Sequence, residues 1–459
     1  MAFIRKIKKK SGTYLAEVES YREDGKVKQR FIRYIGKEIK GTDVDENQLK
    51  DLEIERVREY LDYKILHQVA IRLKIPELLG DSFKSILLLV YAQMISRKSI
   101  NALPAYVEQT ALKELLGIEK LVSADLYKSL DILEGLDFEP IEREILSSMN
   151  EEIEQESDAL ILDVTDTYFK GKRADWKSRK GKDGKVQKLI QIALAVTKRN
   201  GFPILHKTYE GNINNIKIFE DLLSSIRLHD YCVIVLDRGL NSTSSLKDLE
   251  KLEQPVITGL KITSPIRKNI LAKIDRETIY QPANKIQLSK VTLFYKSLDY
   301  KGGKIIVLYD PLKEASQRIK AMQDEEKYDK EKVKFLGYSL VYHTTGDEAK
   351  EVVKMYFEKD VVEKAYRDIK SVINLNPVRK HRISRIRAHV KICYLAYAIY
   401  SYINMKMKPL GISAVSALEQ LQNVYKVDLH LKDKNIKWSK TVTLKKIQAQ
   451  ILEKLDCSV

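Results

Sequence analysis

Three acidic residues stand where a carboxylate could do chemistry. Asp163 follows the apolar run ALIL directly, and Asp237 follows the apolar run VIVL in the same way. A carboxylate at the end of a central strand is costly unless it faces a cleft, and clefts form where the strands of an α/β sheet end. The third residue, Glu363, lies in a segment with helical periodicity. We therefore expect both aspartates at strand ends and the glutamate on a neighbouring helix.

The segment around Glu363 predicts one long helix at about 348–373. At 100° per residue, one face within about 80° of arc collects five polar side chains. They are Tyr356, Lys359, Glu363, Arg367 and Lys370. The simpler interpretation is a solvated face with stabilising i,i+4 ion pairs.

Two strand-end aspartates and a helix glutamate supply three hard oxygen ligands. Such a set suits Mg²⁺ or Mn²⁺, which take carboxylates and keep waters for the substrate. Two such ions about 4 Å apart can support attack on a phosphodiester. The cations beside Glu363 would then hold DNA phosphates, so the pattern predicts a two-metal site for Asp163, Asp237 and Glu363.

The charge balance indicates a polyanionic partner. The chain has 81 Lys and Arg against 64 Asp and Glu, a net charge of +17, which favours nucleic acid over a lysine-rich protein without such a partner. Three scattered cysteines exclude a zinc ribbon and a disulfide scaffold and fit a reducing compartment. The sequence shows no secretory signal, no membrane-spanning run and no nucleotide-binding glycine motif.

The pattern along the chain changes several times. Apolar-polar alternation on both sides of Asp24-Gly25 predicts a hairpin, helical spacing dominates up to residue 157, and three strands followed by strand–helix alternation predict a mixed α/β sheet. We expect a small β unit at 1–40 and a mostly helical N-terminal DNA-binding region at 41–157. A catalytic domain should follow in two pieces, 158–264 and 346–405, with an inserted β-rich subdomain at 265–345 between them. The C-terminal α/β tail at 406–459 is suited to dimerisation.

Further basic residues lie near the predicted site. Arg238 follows Asp237 in an Arg-Gly turn, which could contact the DNA backbone or be only a strand-to-helix turn. The stretch 376–389 adds Arg379, Arg382 and Arg385 as candidates for phosphate contacts. The basic stretch 172–188 is either a DNA-contacting hairpin or a solvated loop.

These blocks, in this order, resemble the DDE transposases of prokaryotic insertion sequences, in the branch with the YREK signature (the insertion-sequence-four superfamily). The signature Y-x2-R-x3-E-x6-K is matched by Tyr356, Lys359, Glu363 and Lys370, with Lys in place of Arg. Lysine keeps the charge but lacks the bidentate fork of arginine. The aspartate blocks LILDVTDTYF and VIVLDRGLNS also resemble that family, and the likeness covers nearly the whole chain.

The resemblance implies an RNase H-like catalytic core with an inserted β subdomain, and two Mg²⁺ or Mn²⁺ ions held by the three carboxylates. It implies cleavage and strand transfer at the terminal inverted repeats of a mobile element, with Tyr356, Lys359 and Lys370 contacting the DNA. We expect double-stranded terminal and target DNA as partners, a homodimer on DNA, and a cytoplasmic, nucleoid-associated protein. Two alternatives stay open: a DNA-binding regulator or decayed copy without strand transfer, and an RNase H-like nuclease without strand transfer.

Overall fold

The structure is a computed structural model that divides into two compact units. One unit comprises residues 1–57 with 426–442, and the other comprises residues 58–425 with 443–459. The described residues are 2–9, 12–23, 26–37, 52–152, 158–168, 178–180, 186–211, 213, 215–226, 231–236, 254–288, 291–323, 333–373, 375, 382–432 and 435–459.

Strands dominate the start of the chain and its centre. The strands of the described residues are β1 (Ala2–Lys9), β2 (Gly12–Glu23), β3 (Lys26–Lys37), β4 (Leu52–Glu59), β5 (Asp158–Tyr168), β6 (Ser178–Lys180), β7 (Val186–Thr197), β8 (Pro203–Glu210), β9 (Tyr231–Leu236), β10 (Val256–Leu260), β11 (Lys285–Gln287), β12 (Thr292–Tyr300), β13 (Gly303–Tyr309), β14 (Tyr338–His343), β15 (Tyr425–Leu431) and β16 (Ile436–Thr441).

Helices fill the region before β5 and return near the C-terminal end of the chain. The α-helices of the described residues are α1 (Leu61–Arg72), α2 (Ile75–Leu79), α3 (Phe83–Met94), α4 (Leu103–Val107), α5 (Leu112–Leu116), α6 (Ser123–Gly135), α7 (Glu139–Asn150), α8 (Asn215–Ser224), α9 (Ser264–Asn269), α10 (Arg276–Ile279), α11 (Pro311–Gln323), α12 (Ala349–Phe357), α13 (Asp360–Arg367), α14 (Ile383–Met407), α15 (Ala414–Leu421) and α16 (Lys446–Lys454). Within these described segments, no helix combines the length and the apolar character that a membrane span requires.

The smaller unit contains two three-stranded sheets. The first has the order β1-β2-β3 and is antiparallel, with Glu23 paired to Lys26 across the predicted Asp24-Gly25 turn. Asp24 and Gly25 themselves lie outside the described residues. The second sheet has the order β16-β15-β4.

A helical core surrounds α14 in the larger unit. Most side chains of α14 are buried, because its middle is the apolar run ICYLAYAIYSYI. It packs against α1, α3, α6 and β8. The sequence FKSILLLVYAQM makes α3 equally apolar, so α3 is buried beside α14.

The larger unit is built on a ten-stranded sheet whose central path is β8-β7-β5-β9-β10. Strands β8, β7 and β5 are successively antiparallel, and β9 and β10 run parallel to β5. This is the strand arrangement of an RNase H-like core, so the predicted mixed-sheet fold and the helical N-terminal region are confirmed.

The inserted strands extend the same sheet. Strand β14 pairs antiparallel with β10, and β13, β12 and β11 follow it outward. The β12–β13 hairpin turns through Lys301 and Gly302, whose φ angles of 43° and 72° match the twist of flanking strands. The insertion therefore replaces the open edge at β10 with further strands.

The two faces of the sheet bury different residues. In β5, Ala159 and Ile161 belong to the core that contains α12, α13 and α14, whereas Leu160 and Leu162 belong to the core on the opposite face. Because side chains alternate along a strand, the odd-numbered positions of β5 point toward α13.

Candidate active site

Asp163 lies in the middle of β5 and not at its end. The strand continues to Tyr168 because β7 pairs with it over that whole length, with Asp163 opposite Leu194 and Tyr168 opposite Leu189. The expected strand end at Asp163 is therefore wrong. The side chain is partly exposed, and its Oδ1 accepts a hydrogen bond of 2.7 Å from the backbone N–H of Val164.

The parallel pairing of β5 and β9 leads to the two predicted aspartates. Leu162 pairs with Leu236, and this is the last pair in the described part of that ladder. Leu162 precedes Asp163 and Leu236 precedes Asp237 in the sequence. Asp237 and Arg238 themselves lie outside the described residues, so both remain predictions.

The helix expected at 348–373 is interrupted. Helix α12 ends at Phe357, α13 begins at Asp360, and a π-helical turn covers Asp368–Val372. The break changes the rotation between Tyr356 and the later residues. Tyr356 is 2% exposed, whereas the Glu363 side chain is 56% exposed. The single polar stripe predicted from an uninterrupted helix is therefore wrong.

Helix α13 docks on the sheet through one apolar face and one hydroxyl. Val362, Ala365 and Tyr366 are buried against the sheet. The hydroxyl of Tyr366 lies 2.6 Å from the carbonyl oxygen of Asp163 and 2.8 Å from that of Ile192. Burial, with the negative charge of Asp163 nearby, raises the pKa of Tyr366 well above its usual value. Tyr366 is therefore a neutral donor.

The exposed side of α13 carries Glu363, and Lys359 lies directly before the first residue of this helix. The Nζ of Lys359 lies 3.6 Å from Glu363 Oε1 and 5.4 Å from the centre of the Tyr356 ring. Arg367 is exposed on the same helix. Glu363 and Lys359 are thus neighbours, and Tyr356 lies beneath the lysine.

The π-helical turn brings Lys370 to β5. Its ammonium donates to the hydroxyl of Thr165 and, at 3.2 Å, to the carbonyl oxygen of Asp166. Thr165 is two residues beyond Asp163 on the same face of the strand. The ammonium of Lys370 therefore contacts β5 two residues beyond Asp163.

Two side chains near α3 hold the end of the π-helical turn. Gln93 Nε2 donates to the carbonyl oxygen of Ile373 at 2.6 Å, and Arg97 Nη2 donates to that of Val372 at 2.9 Å. The helical N-terminal region therefore supports the segment that carries Lys370.

The other predicted DNA-binding arginines have different surroundings. Both bonds of a bidentate pair between Arg385 and Asp131 are 2.8 Å long, and this guanidinium lowers the pKa of Asp131. Arg385 also stacks over Tyr127, with 4.7 Å to the ring centre. Arg382 is exposed, and Arg379 lies outside the described residues.

Sequence reasoning missed four residues of this region. Tyr366, Thr165, Gln93 and Arg97 touch the strand or the turn that carries the predicted site residues. Tyr366 falls among the apolar positions of α13, which indicates a core residue, and its position one turn after Glu363 is the available signal. For Gln93 and Arg97 no local signal exists, because their partners lie 280 and 275 residues away.

The part of the chain that the structure describes contains no cluster of three or more His, Cys, Asp or Glu side chains placed to hold a metal ion. Since Asp237 is outside those residues, the three-carboxylate set remains a prediction.

Comparison with known proteins shows the family of the chain. Residues 154–399, more than half of the chain, match the family described as the transposase DDE domain. Residues 4–63 match the N-terminal domain of IS1634 family transposases. No curated protein matches the chain. A cryo-EM structure of the piggyBac transposase synaptic complex with hairpin DNA is similar at 11% identity and a TM-score of 0.43, over 79% of this chain and 76% of that one.

The family match spans both predicted aspartate blocks and the segment with Glu363. Membership in the YREK branch stays a prediction. The chain belongs to the DDE transposases of insertion sequences.

Proposed function

We propose that this transposase binds the terminal inverted repeats of its element and catalyses Mg²⁺-dependent cleavage and strand transfer of DNA. The metal-binding carboxylates are those of Asp163, Asp237 and Glu363. One observation carries the assignment: the Tyr366 hydroxyl contacts the backbone of Asp163. That contact holds the helix with Glu363 on the face of the sheet toward which Asp163 points.

Strand pairing supports the inclusion of Asp237. Neighbouring strands lie about 4.8 Å apart, and the residues that precede Asp163 and Asp237 are paired. Val233 and Val235 belong to the core on the α13 side. By alternation, the next odd-numbered position is expected to face the same side as Asp163.

The surroundings of Asp163 suit a divalent cation. Its carboxylate is partly exposed and accepts one backbone N–H bond through Oδ1. Carboxylate oxygens are the ligands that Mg²⁺ and Mn²⁺ prefer. Two bound ions would activate the attacking water or hydroxyl and stabilise the leaving oxygen.

The cations near the site position the DNA backbone. Lys359, Arg367 and Lys370 border the segment with Glu363, and Arg382 is exposed at the start of α14. The ammonium of Lys370 donates to the Thr165 hydroxyl and to the carbonyl oxygen of Asp166, which places a cation beside β5. Arg385 is already engaged by Asp131 and contributes less. Arg238, Arg379 and Tyr356 complete the proposed contact surface.

The decisive experiment uses a supercoiled plasmid with the two terminal inverted repeats of the element. The wild-type protein is expected to nick and join this DNA in Mg²⁺ and not in EDTA. Asp163→Asn, Asp237→Asn and Glu363→Gln should each slow nicking about 10³-fold, since each removes a ligand whose charge stabilisation amounts to several kcal/mol. Asp360→Asn, an exposed acid on the same helix, is the matched control.

Other outcomes separate the remaining functions. If Asp163→Asn nicks like the wild type, the assigned site is wrong. Binding of the repeats without cutting by the wild type would indicate a DNA-binding regulator. Nicking without joining to a target plasmid would indicate a nuclease.

A further inference from the structure

Tyr366 is buried at the contact between α13 and β5. It is 5% exposed, and its hydroxyl lies 2.6 Å from the carbonyl oxygen of Asp163 and 2.8 Å from that of Ile192. A buried phenol needs a hydrogen-bond partner. These two acceptors therefore define where the ring, and the helix that carries it, rests on the sheet.

We propose that Tyr366 is a positioning residue that fixes the spacing between the carboxylates of Asp163 and Glu363. This inference rests on the proposed function of those two residues. Glu363 lies three residues before Tyr366 on α13, about one helical turn away. A shift of the Tyr366 ring along β5 therefore moves Glu363 relative to Asp163.

A second contact also attaches this segment to β5. Lys370, four residues after Tyr366, donates to Thr165 and to the carbonyl of Asp166. The Nζ of Lys370 also lies 5.8 Å from the centre of the Tyr366 ring. Two attachments one turn apart restrain both the sliding and the rotation of this segment on β5.

The hydroxyl can be removed with little change in packing. Phenylalanine keeps the ring that fills the core between α13 and the sheet, whereas the bonds to Asp163 and Ile192 are lost. Tyr397 offers a matched control: it is 4% exposed, and its hydroxyl donates to the carbonyl oxygen of Gly201 at 2.9 Å. Both substitutions remove a buried phenol hydroxyl, which has two carbonyl partners in Tyr366 and one in Tyr397. Only Tyr366→Phe removes a contact with β5 at Asp163.

The test measures Mn²⁺ binding to the full-length protein by titration calorimetry and by electron paramagnetic resonance. Thermal unfolding of each variant is recorded in the same buffer without metal. We expect Tyr366→Phe to weaken Mn²⁺ binding about 10-fold or more, because loss of a residue that orients a metal ligand usually lowers metal affinity by that factor. Tyr397→Phe should bind Mn²⁺ like the wild type, while the two variants lose similar thermal stability.

Three results would overturn the inference. If Tyr366→Phe binds Mn²⁺ as tightly as the wild type, the Tyr366 hydroxyl does not position the carboxylates. An equal loss in Tyr397→Phe shows that only general stability matters. Wild-type binding by Asp163→Asn shows that the proposed metal site itself is wrong, and the proposed function falls with it.

A second variant keeps the inference testable if Tyr366→Phe does not fold. Thr165→Val is nearly isosteric and removes the hydroxyl that Lys370 contacts. It is expected to weaken Mn²⁺ binding several-fold while the protein stays folded. If a folded Thr165→Val protein binds Mn²⁺ as the wild type does, the contacts of Tyr366 and Lys370 with β5 do not set the spacing between the carboxylates of Asp163 and Glu363.

Discussion

Lys359 lies between a carboxylate and an aromatic ring. Its Nζ is 3.6 Å from Glu363 Oε1 and 5.4 Å from the Tyr356 ring centre. An ammonium in this place can hold one phosphate as a point charge, whereas the arginine of the resembling signature would add a fork. We therefore expect the proposed phosphate contact of Lys359 to be weaker than that of an arginine at the same position.

This gives a prediction for DNA binding. Lys359→Ala should weaken binding and make the slope of log affinity against log salt shallower by about one unit. Lys359→Arg should keep the slope, because the charge is retained. Fluorescence anisotropy over a salt series checks both, with Lys364→Ala on α13 as control. An unchanged slope in Lys359→Ala would exclude a phosphate contact.

Asp62 is a buried acid outside the proposed site. It is 1% exposed, its Oδ1 accepts a 2.8 Å bond from the backbone N–H of Tyr63, and its Oδ2 has no hydrogen-bond partner within the described residues. Burial raises the pKa of Asp62 to about 7. The carboxyl is thus protonated in the folded protein at a pH where the unfolded chain has already lost that proton.

Stability should therefore fall as the pH rises from about 4 through about 7. At pH 8, Asp62→Asn should be more stable than the wild type by up to about 4 kcal/mol, since one pKa unit corresponds to about 1.4 kcal/mol. At pH 5 the difference should be clearly smaller, because most of the loss accumulates between pH 5 and about 7. Denaturant unfolding at both pH values measures this, with the exposed Asp81→Asn as control. Equal stability at pH 8 would refute the raised pKa.

At the scale of elements, the π-helical turn depends on a distant helix for its position. Gln93 and Arg97 donate to the last carbonyl groups of the segment that carries Lys370. π-helical turns are rare and tend to occur at functional sites. The helical N-terminal region therefore supports the segment with Lys370 through these two hydrogen bonds, among its other contacts.

Removing one of these bonds should affect both stability and catalysis. Gln93→Met keeps the side-chain length but loses the donor to Ile373, so we expect a loss of about 1 kcal/mol of unfolding free energy. Nicking should fall further than this loss explains, because Lys370 loses its support. Thermal unfolding and plasmid nicking are compared with the exposed Gln109→Met. A stability loss with normal nicking would show that the turn is purely structural.

Sequence patterns predicted the types of these elements better than their limits. The second half of β5, VTDTY, contains polar residues that are typical of a strand end, yet pairing with β7 extends the strand to Tyr168. The break after Phe357 has no proline or glycine to mark it, and the packing of Val362 and Tyr366 on the sheet determines it. The relation of Tyr366 to Asp163 could not be predicted either, since it arises only when α13 docks.

At the scale of the whole molecule, the net charge of +17 favours DNA binding at any sequence. Affinity for a duplex without the terminal repeats should fall steeply with salt, with a slope of about −4 or steeper if four or more phosphates are neutralised. Binding to the terminal repeats should retain more affinity at high salt. Equal salt curves for both duplexes would mean that the chain does not recognise the repeats.

The contact between Tyr366 and Asp163 can form only after the ribosome has synthesised both residues. The two residues are separated by 203 positions, and ribosomes add roughly 5 to 20 residues per second. Roughly 10 to 40 s therefore pass between the synthesis of Asp163 and that of its helical partner. Throughout this interval the nascent β5 lacks the helix that covers it, so the emerging chain holds an incomplete site. Translation itself thus delays the moment at which the proposed site of each new molecule is complete.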